Sequence, residues 1–143
     1  MGQGIFTIEA GHPGGIIPIR ANAVLTASYV ASSAVDMSFA NSVCVLMVIG
    51  TAQAGKTANI KFQWSMDEAF TLVAFEKSIT DGAASGGEQP QTTDEIRLDM
   101  SMAATTSPEI RRFNRLGKFF RVMAKSDATT TGTLSVKAQV FTN

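Results

Sequence analysis

The chain is poor in the residues that carry most enzyme chemistry. Its 143 residues include one histidine and one cysteine. That pair cannot complete a four-ligand zinc shell, and a lone cysteine cannot close an intramolecular disulfide. His12 lies among Gly11, Pro13, Gly14 and Gly15, so a histidine-based triad on a folded core is not expected. Charged residues make up 17%, below the usual quarter, and there is one tryptophan and one tyrosine. The longest apolar run, 43–49, is far shorter than the roughly 20 residues of a membrane-spanning helix. No basic segment followed by an apolar one opens the chain, so no signal peptide is expected, and a reducing cytoplasm is the expected place of synthesis. No metal and no cofactor is expected, nor a membrane or nucleic-acid partner. Cys44, inside the apolar run, reads as a small buried side chain.

One nucleotide-binding pattern is present. Gly50-Thr51-Ala52-Gln53-Ala54-Gly55-Lys56-Thr57 matches G-x-x-x-x-G-K-[ST]. A phosphate loop needs a helix straight after Lys-Thr, because the helix N-terminus aims free N–H groups and positive dipole at the phosphates. Here Ala58, Ile60, Phe62 and Trp64 alternate with Asn59, Lys61 and Gln63. A period of two is a half-buried strand. Residues 50–57 therefore read as a connection between two antiparallel strands, and nucleotide binding through Lys56 and Thr57 is the lesser alternative.

The rest of the chain repeats this pattern. Segment 16–25, interrupted by Pro18, suits an edge strand. Val35, Met37 and Phe39 alternate in a short strand. Segment 42–50 is apolar on both faces and reads as a central strand covered on both sides. Residues 66–69 form a turn, and 70–75 a further strand. Ile96, Leu98, Met100 and Met102 alternate, as do Leu134, Val136, Ala138 and Val140, and 118–124 is another strand. Segment 80–91, with three glycines and no aliphatic residue larger than alanine, reads as a surface loop. Ser107-Pro108-Glu109 with Gly117 fits a short helix or a long turn. About eight short strands without a long helix indicate an all-β, single-domain sandwich, jelly-roll-like, over 16–143. Residues 1–15, Gly-rich with only Ile5, Phe6 and Ile8 as anchors, read as an extended N-terminal arm.

Net charge is zero but unevenly spread. Residues 1–109 hold 11 acidic and 5 basic groups, and residues 110–143 hold 7 basic and 1 acidic. This is either a docking polarity between subunits or a solvated basic face. Bases and aromatics interleave in 111–121, a composition able to bind single-stranded nucleic acid, but alternation puts Phe120 and Val122 toward a core and Arg121 outward. Trp64 could stack on a sugar, yet it shares a strand face with Ile60 and Phe62, which favours core packing. Asp94, Glu95 and Asp99 match no calcium-loop spacing.

The succession Lys61-Phe62-Gln63-Trp64-Ser65-Met66-Asp67, then Phe119-Phe120-Arg121-Val122, then Gly132-Thr133-Leu134-Ser135-Val136 resembles the capsid decoration (cement) proteins of tailed bacteriophages, over about residues 43–140. Tail, neck and head-fibre-base proteins of phages share such patterns. The resemblance implies a non-enzymatic homotrimer on the outer surface of an icosahedral head. It would bridge subunits of the major capsid protein and join the virion in the host cytoplasm. On this reading Ile5, Phe6, Ile8, Arg111, Arg112 and Arg115 are the expected capsid or subunit contacts.

Overall fold

A computed structural model describes residues 5–6, 15–76, 96–103, 105, 108–127 and 129–142. The expected loop 80–91, His12 and Ile8 lie outside them, as does most of the expected arm. Among the described residues eleven strands form: β1 Ile5–Phe6, β2 Ile17–Val24, β3 Val30–Ala31, β4 Ala34–Asp36, β5 Ser42–Thr51, β6 Thr57–Ser65, β7 Val73–Glu76, β8 Ile96–Ser101, β9 Glu109–Asn114, β10 Phe119–Ser126 and β11 Thr133–Phe141. No helix occurs among the described residues.

The strands make two sheets. The four-stranded sheet has the order β2-β11-β5-β9, antiparallel throughout. The other is centred on the antiparallel pair β10 and β6. β3 and β4 share the free edge of β10, and β7 and β8 share that of β6. β1 adds outside β4 in parallel, Ile5 opposite Ala34.

Alternation drives the packing. Ala58, Ile60, Phe62 and Trp64 of β6, with Phe120, Val122 and Ala124 of β10, face Val43, Val45, Met47 and Ile49 of β5 and Leu134, Val136, Ala138 and Val140 of β11 in one core. The molecule is a β-sandwich, as its patterning predicts. Phe62 and Phe120 stack with centroids 6.3 Å apart, and Phe113 reaches in from β9 to 4.7 Å from Phe62. β2 is an edge strand, as Pro18 requires.

Six expectations are corrected. Where a short helix or long turn was expected over 107–117, residues 109–114 pair instead as β9 along the free edge of β5. β5 is central but covered on one face only: Val43, Val45, Met47 and Ile49 are buried while Cys44, Leu46 and Val48 are half-buried on the outside. Cys44 is thus not a core residue. Residues 70–72 belong to the turn, and the strand begins at Val73. Phe39 leaves the strand pattern and stands 64% exposed in a turn. Finally, 50–57 joins strands of opposite sheets rather than paired neighbours.

Candidate docking surface

The phosphate-loop pattern lies on a connection that runs straight into a strand and is tied to its neighbours by hydrogen bonds. Gln53 N donates to Met102 O at 2.7 Å, and Thr57 N donates to an Asp127 carboxylate oxygen at 3.1 Å. Gln53 Oε1 accepts from Thr131 N at 2.6 Å and from the Thr130 hydroxyl, tying this connection to the one between β10 and β11. Gly55 turns the chain with φ +77°, a region open to glycine. Strand β6 follows at once. Two of the backbone donors that a phosphate loop would turn to its ligand, those of Gln53 and Thr57, are bonded within the protein.

Trp64 is fully buried, with its ring 4.6 Å from that of Phe120, so it cannot serve as a sugar platform. Its Nε1 has no hydrogen-bond partner. Among the described residues no three His, Cys, Asp or Glu side chains gather where they could hold a metal ion.

The surface that stands out is one end of the sandwich, where three connections meet: 37–41, 66–72 and 115–118. Lys118 O accepts from Met37 N at 2.7 Å, and Asn41 O accepts from Arg115 N at 2.8 Å. Arg115 Nη1 donates to Ser38 O at 3.1 Å. Gly117 lies against β6 so closely that a Cβ there would meet Ser65 O at 3.1 Å and Trp64 Cβ at 3.2 Å. An open depression of about 420 Å³ results, lined by Met66, Arg115, Leu116, Gly117 and Lys118.

Large apolar side chains project from this end: Phe39 at 64% exposure, Met66 at 58% and Leu72 at 62%. The connection that carries two of them is stiff. Asp67 accepts from the Thr71 hydroxyl, from Leu72 N at 2.8 Å and from Ser65 Oγ at 2.8 Å. Leu72 O in turn accepts from Met66 N at 3.0 Å. The Thr71 and Leu72 donors, helped by Ser65, hold the Asp67 carboxyl down to about 2. Phe70 takes φ +56°, a left-handed conformation costing about 1–2 kcal/mol for a side chain with Cβ. Burial of its ring with Ala34 and Phe119, and the Arg121 guanidinium 4.1 Å above it, offset that cost. The apolar tips are thus held out on a loop cross-braced by the Asp67 carboxylate.

The expected contact residues are only partly gathered here. Arg115 belongs to this end. Arg112 lies nearby on β9, donating from Nη2 to Ser42 Oγ at 3.2 Å, with its guanidinium 5.1 Å from the Phe141 ring. Arg111 points the other way, 3.6 Å from Glu109. Ile5 and Phe6 run beside β4. Phe39, Met66, Leu72, Leu116 and Lys118 escape a reading by periodicity. The available signal was a large apolar residue inside a turn.

Compared with protein-family models, with curated proteins and with solved structures, the chain matches none.

Proposed function

We propose that this protein is a structural component of a phage virion that binds the outside of an icosahedral head and bridges major capsid protein subunits, as a homotrimer. The observation that carries this reading is the rigid loop end displaying Phe39, Met66 and Leu72. Exposed large apolar groups on a preorganised support are what a docking surface needs, since little ordering entropy remains to be lost on binding. Arg115 and Lys118 beside the depression provide polar attachment at its rim. The resemblance of the strand and hairpin segments to decoration proteins supports the same role. A β-sandwich that binds only the assembled shell stabilises it by mass action, without catalysis.

The test is sedimentation with purified heads that lack this protein. The wild type is expected to pellet with heads. A Phe39→Ser/Met66→Ser/Leu72→Ser variant is expected to lose at least about tenfold in affinity, because central apolar anchors typically contribute 1–2 kcal/mol or more each. Its thermal unfolding should stay near that of the wild type, since all three side chains are exposed. No pelleting of the wild type, or cryo-electron microscopy placing the protein away from the head surface, overturns the reading.

A further inference from the structure

The depression at the loop end carries charge of one sign. Arg115 and Lys118 line it together with Met66, Leu116 and Gly117, and no carboxylate does. The described acids of this end are engaged or stand apart. Asp36 accepts from Ser38 N at 2.9 Å and from the Ser38 hydroxyl. Asp67 accepts from Thr71, Leu72 and Ser65. Glu68 is exposed on the 66–72 turn and does not line the depression.

Both cations are exposed. Arg115 donates from Nη1 to Ser38 O at 3.1 Å. That single bond steadies the planar guanidinium and leaves Nη2 and Nε for a further acceptor. The Lys118 ammonium has the Phe119 ring beside it, 5.4 Å from the centroid. Among the described residues neither cation has a carboxylate partner. Gly117 is pressed against Ser65 and Trp64 of β6, so the floor between the two cations is fixed.

Two such cations on a fixed floor select an anion, and their neighbours select its kind. A carboxylate fits the guanidinium fork edge-on and accepts from an ammonium as well. A phosphate group would satisfy the same donors. Met66, 58% exposed, and Leu116 in the same wall call for an apolar group next to the anion. A peptide segment supplies one, and a nucleic-acid backbone does not.

We infer that the depression is a receptor for an acidic protein segment. One Asp or Glu carboxylate of the partner binds between Arg115 and Lys118, and an adjacent apolar side chain covers Met66 and Leu116. The inference rests on the loop end being the docking surface, as proposed above, and adds the chemistry that the partner presents there.

Titration of the isotope-labelled full chain with the peptide acetyl-Leu-Glu-Leu-Glu-Leu-amide, followed by amide NMR shifts at constant ionic strength, tests it. Saturating shifts are expected at 115–118 and at Met66, with a Kd on the order of 1 mM, the affinity of a few contacts without preorganisation of the peptide. The same peptide with Gln in place of each Glu is expected to bind about tenfold more weakly, the loss that a hydrogen bond to a charged group ordinarily carries. Lys118→Glu leaves the Arg115–Ser38 bond in place and is expected to abolish saturation. Arg115→Lys keeps the charge without the fork and is expected to weaken binding several-fold. Melting temperatures should stay near the wild type, since both side chains are exposed. Equal affinity for the Gln peptide, absence of shifts at 115–118, wild-type binding by Lys118→Glu, or a thymidine oligonucleotide that saturates the same shifts at lower concentration overturns the inference. Sedimentation with heads is a separate readout. Peptide binding without pelleting sinks only the capsid role, while pelleting that Lys118→Glu leaves unchanged sinks only this receptor.

Discussion

Single side chains set how firmly the loop end is held. Asp67 is the organiser of residues 66–72, and its carboxyl titrates near 2 against an ordinary value of 3.8. A carboxyl lowered in the folded state adds stability above its unfolded pKa and loses it as pH falls through the folded one. The Leu72 amide is therefore expected to stay protected from hydrogen exchange above pH 4 and to lose protection between pH 4 and 2. Asp67→Asn should move that loss to neutral pH. At Trp64 the buried indole N–H has no partner, so Trp64→Phe removes an unmet donor along with ring volume. Denaturant titration is expected to show it costing about 1 kcal/mol, well under the roughly 3–5 kcal/mol of Phe62→Ala. Gly117→Ala should push residue 117 away from Ser65 and lower the melting temperature, because the atoms in its way are mostly backbone.

Strands and their connections show where periodicity suffices and where it does not. The alternation of Ala58, Ile60, Phe62 and Trp64 was enough to separate a strand from a phosphate loop, and β6 runs extended from Thr57. Segment 109–114 was not legible. Ser107-Pro108 imitates a helix start, and the alternation of Glu109, Arg111 and Phe113 is half-buried because β9 lies at a sheet edge. Only the free edge of β5 makes it a strand. The connection 52–56 depends on Gln53, whose side-chain oxygen holds Thr130 and Thr131. Gln53→Ala should cost about 1–2 kcal/mol in urea unfolding, as it leaves these donors without their acceptor. Lys56→Ala is expected within about 0.5 kcal/mol of the wild type, with no heat of Mg-ATP binding in either protein. Binding that vanished in Lys56→Ala would restore the nucleotide reading.

For the molecule as a whole, the loop end is the surface proposed to meet the head, with Phe39, Met66 and Leu72 exposed around the depression. The bases of 110–143 do not share one surface: Arg112 and Lys137 stand on the outer face of the four-stranded sheet, Arg111 on its other face, and Arg115 and Lys118 at the loop end. Raising salt should weaken pelleting with heads more than it alters folding, because screening acts on the exposed charges of Arg115 and Lys118 and little on the apolar core. A pelleted fraction that does not change between about 0.05 and 1 M salt would count against the electrostatic part of that contact.

Local chemistry alone settles most of the strands, the inward faces of β6, β10 and β11 and the sandwich class, because alternation and turn residues act over a few neighbouring positions. The pairing of β9 with β5, the open outer face of β5 and the meeting of Phe39, Met66, Leu72 and Arg115 at one end arise from folding. Those features join residues up to 77 positions apart, and neither periodicity nor composition encodes which distant edge a strand will find or which turns will share an end.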